Sequence, residues 1–170
     1  MKNNNIKDNR IINRYMTAFA ITFILLSATL YVLTNRLDII EISYGLGDSM
    51  APTNRDRCID IYYRKISDIE KNEVYSFINP ESGHGSTKRV VAVEGDNVKI
   101  KDGRLYINGK EDDSLFNENA DYSWCEEIDL TLDRGYYFML GDNRNVSIDS
   151  RMYGPVSRSH ITGKQILSIY

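Results

Sequence analysis

The sequence is poor in cysteine and histidine, with two of each among 170 residues. Cys58 and Cys125 show no CxxC spacing and have no companion histidines at metal-ligand spacing. A zinc site is therefore not expected, and no cofactor is implied. The two thiols read as separate small apolar residues, although one disulfide outside the cytoplasm is the alternative. A basic face is also lacking. Of 21 basic and 24 acidic side chains, four basic and one acidic fall within residues 1–16. The remainder holds 17 and 23, a balance of −6, which does not suit a nucleic-acid binder. There is no internal repeat and no low-complexity tract, and no stretch after Arg36 keeps a 3.6-residue apolar period.

What is present begins with a long apolar run. Met16 to Thr34 reads MTAFAITFILLSATLYVLT and contains no charge. At 1.5 Å per residue it spans about 29 Å, close to the ~30 Å hydrocarbon core of a bilayer. Arg14 and Arg36 bracket it, and Tyr15 and Tyr31 sit near its ends. A cleaved signal peptide would have a shorter apolar run and a small-x-small site after it, whereas Val32-Leu33-Thr34-Asn35-Arg36 follows here. A buried helix of a soluble domain is a weaker third option for a run apolar on all faces. A retained anchor over 16–34 is expected. Lys2, Lys7, Arg10 and Arg14 precede it, so the positive-inside rule places 1–15 in the cytoplasm and 35–170 outside, at the cell membrane.

The outer part is expected to be one mostly β domain, since its length suits a single core. Ile39–Ile42, Arg57–Tyr63, Val74–Ile78, Arg89–Val93 and Tyr136–Leu140 read as strands. Val98–Lys110 reads as a hairpin about Asp102-Gly103, a favoured type I′ pair. Residues 111–134 are acidic and polar and read as a variable surface excursion between strands.

Three clusters carry chemistry. In Gly47-Asp48-Ser49-Met50-Ala51-Pro52-Thr53, proline restricts the backbone just after a serine. Such a bend exposes a hydroxyl and gathers backbone N–H groups, as acyl transfer requires. A plain strand-end turn is the competing reading. In Lys88-Arg89-Val90-Val91-Ala92-Val93-Glu94-Gly95-Asp96 a lysine enters an apolar run. Ordinary lysine, pKa ~10.4, is no base, but burial brings catalytic lysines to about 7–8. The competing reading is an edge lysine with its head in water. Gly141 to Arg151 (GDNRNVSIDSR), followed by Met152-Tyr153-Gly154, is rich in hydrogen-bonding groups. Asp149 and Arg151 can share an ion-pair network, and Ser147 can hold a lysine amine. A polar surface loop is the alternative.

GDSMAPT, KRVVAVEGD and GDNRNVSIDSRMYG, in this order after an N-terminal anchor, resemble the conserved boxes of the bacterial type I signal peptidases. The resemblance covers nearly the whole chain, is weakest over 111–134, and points to the lysine-type, Gram-positive-like branch. It implies a mostly β catalytic domain of the signal-peptidase and repressor-peptidase kind behind a single anchor. By the same resemblance, Ser49 is the nucleophile, Lys88 the general base, and Ser147 the residue orienting the lysine. Asp149 and Arg151 form a structural ion pair, with Asp142 in the same box. Gly47 offers only backbone, so the oxyanion hole would rest on the Ser49 N–H and a contribution near Gly47. The implied substrates are exported preproteins cut after small residues in an Ala-x-Ala pattern. A monomer in contact with membrane lipid is expected.

A histidine-based branch also exists in this family, but His84 lies in the polar run ESGHGST and His160 beyond the third box. Two rivals differ from this reading. One is a non-catalytic, membrane-tethered β domain that binds an exported partner. The other is a self-cleaving repressor-type peptidase, which the anchor disfavours.

Overall fold

The computed structural model describes residues 2–112, 114, 116 and 120–170. Two units are distinct, residues 1–39 and 40–170. The first is a helix, α1, Lys2–Leu37. Its apolar stretch Ile12–Leu33, 22 residues with exposed side chains throughout, is long enough to cross a membrane. Hydroxyls within it are satisfied internally. Thr17 Oγ1 donates to Asn13 O at 2.8 Å, Ser27 Oγ to Phe23 O at 2.8 Å and Thr29 Oγ1 to Leu25 O at 2.8 Å. These bonds satisfy hydroxyls that such a helix would otherwise present bare to lipid.

The second unit is built on two antiparallel sheets. The larger has the order β1-β2-β11-β3-β4-β9-β10, with β1 Ile40–Gly45, β2 Cys58–Tyr63, β3 Val74–Ile78, β4 Gly85–Ala92, β9 Tyr136–Leu140, β10 Val156–Ser157 and β11 Ile161–Ile169. The smaller has the order β7-β6-β5-β8, with β5 Asn97–Lys101, β6 Arg104–Ile107, β7 Lys110–Glu111 and β8 Ile128–Thr131. The mostly β reading is thus met. β4 and β9 are apolar on both faces because both are covered. Val91, Ala92, Phe138 and Leu140 pack with Val98, Ile100 and Leu105 of the small sheet. Val90, Tyr137 and Met139 pack on the other side with Tyr75, Phe77, Val156 and Ile161.

The hairpin forms where expected, with Lys101 paired to Arg104 across Asp102 (φ 51°) and Gly103 (φ 71°). Both central residues have the positive φ of a type I′ turn. The stretch 111–134 differs from a surface excursion. It contributes β8 to the small sheet, and Tyr122 and Leu132 are buried in the core. Residues 113, 115 and 117–119 of that stretch lie outside the described residues. The longest strand, β11, was not expected. Its register shifts between Gln165 and Leu167, so its apolar residues do not alternate evenly and leave no period of two.

Candidate active site

The chain after β1 turns at Leu46–Asp48 and delivers Ser49 to the mouth of a cleft. The peptide bond Ala51–Pro52 in the turn that follows is cis. Across the cleft, β4 supplies Lys88, paired with Tyr75 of β3 and on the same strand face as Val90. That placement explains its burial: the side chain leaves an apolar strand face, and only 4% of it is exposed. Lys88 Nζ lies 2.9 Å from Ser49 Oγ and donates to Thr87 O at 3.0 Å. Burial lowers its pKa from the usual lysine range, and the positive Arg151 adds to this. Asp149 and Asp142 pull the other way, so desolvation dominates. A neutral amine so placed has one N–H on Thr87 O, and its lone pair faces the serine hydroxyl.

The third box closes the site from behind. It begins where β9 ends, and Gly141 permits the approach. A Cβ at Gly141 would collide with Ser147 Oγ, Ser147 Cβ and Ser49 O. Asn143 N donates to Ser49 O at 3.1 Å, fixing the peptide that carries the serine. Asp149 is wholly buried and pairs with Arg151 through two bonds of 2.7 Å. It also accepts from Gly141 N at 3.0 Å and caps the short helix α2, Ser150–Tyr153, through Arg151 N. The Arg151 guanidinium lies over the rings of Trp124 at 4.8 Å and Tyr122 at 5.3 Å. Residues of 111–134 therefore back the site.

Asp142 forms a second buried pair. Arg89 donates to it from Nε at 2.7 Å and Nη2 at 2.6 Å, and Thr53 Oγ1 at 2.5 Å. The bonded set ties the turn after Ser49 (Thr53), the lysine strand (Arg89) and the third box (Asp142) together. Sequence reasoning missed Arg89 and Thr53. The signal was present: in a strand, Arg89 must point opposite to Lys88, and Thr53 ends the first box.

Two expectations need correction. Ser147 is buried beside Gly141, but among the described residues its Oγ has no hydrogen-bond partner. The lysine amine is held by Thr87 O instead. Gly47 lies at the cleft, but its N–H is taken by Asp56 Oδ1 at 2.8 Å. The Ser49 N–H, by contrast, bonds to no described residue. His84 is exposed, and neither His84 nor His160 lines either cavity that reaches Ser49. Both cysteines are free thiols. No group of metal-ligating side chains occurs among the described residues.

The family model for signal peptidases, peptidase S26, matches residues 14–170. Signal peptidase IB of Staphylococcus aureus is 34% identical over 137 residues, covering 69% of this chain and 71% of that protein. The chloroplastic thylakoidal processing peptidase 1 of Arabidopsis thaliana is 40% identical over 93 residues, covering 51% of this chain and 26% of that protein. A signal peptidase I structure from Enterococcus faecalis V583 aligns with a TM-score of 0.49 at 28% identity, covering 59% of this chain and 98% of that one. With the three boxes, the family match and the Staphylococcus aureus relative together, the chain belongs to the bacterial type I signal peptidases, serine endopeptidases that remove signal peptides from exported preproteins.

Proposed function

We propose that Ser49 and Lys88 form a Ser–Lys dyad that cuts preproteins by acyl transfer at the outer face of the cell membrane. The observation that carries this is the buried amine 2.9 Å from the serine hydroxyl. Lys88 accepts the Ser49 proton as Oγ attacks the scissile carbonyl. The unbonded Ser49 N–H faces the developing oxyanion. Lys88 then passes the proton to the leaving amine. A water, deprotonated by the same amine, releases the acyl group and restores the serine.

Substrate binding is supported by an open strand edge. Gly85–Lys88 pair with β3 only, because β9 joins β4 from Arg89 onward. An extended peptide can add there and lie over the cleft that holds Ser49. The resemblance implies cleavage after a small residue in an Ala-x-Ala pattern.

In this reading α1 is the anchor, with residues 1–15 cytoplasmic, 16–34 spanning and 35–170 outside, and its apolar stretch Ile12–Leu33 has the length for the crossing. Alternate residues Ile42, Tyr44 and Leu46 are exposed at 68%, 59% and 76%, an apolar row that suits contact with the bilayer surface. It would hold the cleft where a signal peptide emerges from lipid.

The test is cleavage of a purified preprotein by the full chain in detergent. Ser49→Ala and Lys88→Ala should each lose about 10⁴-fold or more of the rate while keeping the native circular dichroism spectrum. Cleavage by Lys88→Ala at the native rate would remove the dyad and favour the rival of a tethered binding domain.

A further inference from the structure

Lys88 Nζ has two partners among the described residues, Ser49 Oγ at 2.9 Å and Thr87 O at 3.0 Å. The first is consumed when Ser49 Oγ becomes acylated. The second is a backbone carbonyl, and it stays to aim the amine at the leaving nitrogen and then at water. Whatever fixes Thr87 therefore fixes the base. The sheet does so from one side only, since Thr87 pairs with Ser76 of β3 and β9 joins β4 only from Arg89 onward.

A side chain supplies the other hold. Neighbouring residues on a strand point to opposite faces, so the Thr87 hydroxyl lies on the face that Lys88 leaves free. There Thr87 Oγ1 meets Tyr62 OH at 2.6 Å. Tyr62 is wholly buried on β2, and β11 and β3 separate that strand from β4. The phenol spans them because β11 carries Gly163 where it crosses. A Cβ there would lie 2.7 Å from Tyr62 Cβ and 3.0 Å from Ser76 Oγ.

The phenol is oriented in turn by Asp60 of the same strand. Tyr62 OH donates to Asp60 Oδ2 at 3.2 Å. A carboxylate only accepts, so it takes the single phenol proton and leaves Thr87 to donate to the Tyr62 oxygen. Asp60 is itself buried and closely packed: a Cβ at Gly45 would lie 3.0 Å from its Oδ2. It also accepts from Gln165 Nε2 at 2.9 Å, Asn54 Nδ2 at 3.2 and 3.3 Å, and Cys58 Sγ at 3.4 Å. All of these donors are neutral. A buried carboxylate held without a cation costs stability. What it provides here is one direction for the bonded chain from Thr87 through Tyr62.

We propose that Tyr62, oriented by Asp60, is a positioning residue for the dyad: it holds Thr87, whose carbonyl holds the Lys88 amine through both halves of acyl transfer. The inference rests on the reading of Lys88 as the base, and it extends the machinery to a strand outside the three boxes. Tyr62 acts only through Thr87. Without that bond the free half of β4 is held by β3 alone, and the amine loses its aim once the serine hydroxyl is gone.

The experiment measures kcat and KM on a preprotein peptide, with the full chain in detergent micelles, for the native protein, Tyr62→Phe, Thr87→Val, the two combined, and Thr87→Ser. Rates are taken per folded molecule, counted by circular dichroism. Tyr62→Phe and Thr87→Val delete opposite ends of one bond. Each should lower kcat by about ten- to a hundredfold, the scale of a misplaced reacting group. The combined variant should be no slower than the slower single one, because the bond can be lost only once. Thr87→Ser keeps the hydroxyl and should stay near the native rate. Native kcat in Tyr62→Phe, losses that multiply in the combined variant, a change confined to KM, or a serine variant as slow as the valine one would each overturn the positioning role. Should Tyr62→Phe not fold, Thr87→Val against Thr87→Ser decides alone, since Tyr62 is the bonded partner of that hydroxyl. Cutting by Lys88→Ala at the native rate would instead overturn the dyad, and the positioning role with it.

Discussion

The seven-stranded sheet and the loops beside it bury Asp60, Lys88, Asp142, Asp149 and Arg151, whereas the four-stranded sheet buries Val98, Ile100 and Leu105. The small sheet keeps its charges outside, as Lys99 with Asp129 at 2.7 Å and Arg104 with Glu111 at 3.1 Å. Exposed pairs of this kind add little to stability. Buried pairs cost desolvation and persist only where each partner is held by several bonds. The contrast separates two jobs. The small sheet supplies apolar burial. The large one spends part of that stability on holding polar groups where water would otherwise solvate them.

The comparison is broken most severely by Asp149→Ala. It leaves the Arg151 guanidinium buried and unpaired, and strips a hydrogen bond from Gly141 N. The expected loss is about 3–5 kcal/mol, read from urea unfolding of the full chain in micelles. Leu105→Ala tests the other side. Leu105 is fully buried in the small sheet, so about 2–5 kcal/mol should be lost, with kcat per folded molecule unchanged. An equal loss of kcat in both variants would remove the division of labour.

A smaller effect of opposite sign is expected from Lys88→Met. The folded Lys88 pKa lies below its unfolded value, so between the two the unfolded chain binds one more proton. Stability therefore rises with pH through that window, and burying this amine is destabilising below it. The methionine variant should be inactive yet more stable by about 1 kcal/mol, with the gain shrinking toward high pH. Thermal unfolding at several pH values reads both.

Much of this was legible in the sequence where a local rule decides it. Asp102-Gly103 fixed its own turn, and the family could be named because three boxes stand in order along the chain. What was illegible depends on partners far away in sequence. β11 hides behind its register shift. The role of 111–134 rests on Tyr122 and Trp124 meeting Arg151, which no local pattern encodes. Ser147 could be placed near the site, but only the packing against Gly141 reveals that its hydroxyl is unbonded and that Thr87 O holds the amine. Asp60 falls within the expected strand Arg57–Tyr63, and its burial appears only once Gly45 is seen to make room for it.

The most direct measurement is kcat/KM for a preprotein peptide against pH, from about pH 6 to 10, in the full chain. A buried Lys88 working as the base requires the rate to climb with pH and level off at an inflection below the usual lysine range. A flat profile, or one that rises only where an exposed lysine loses its proton, would contradict it.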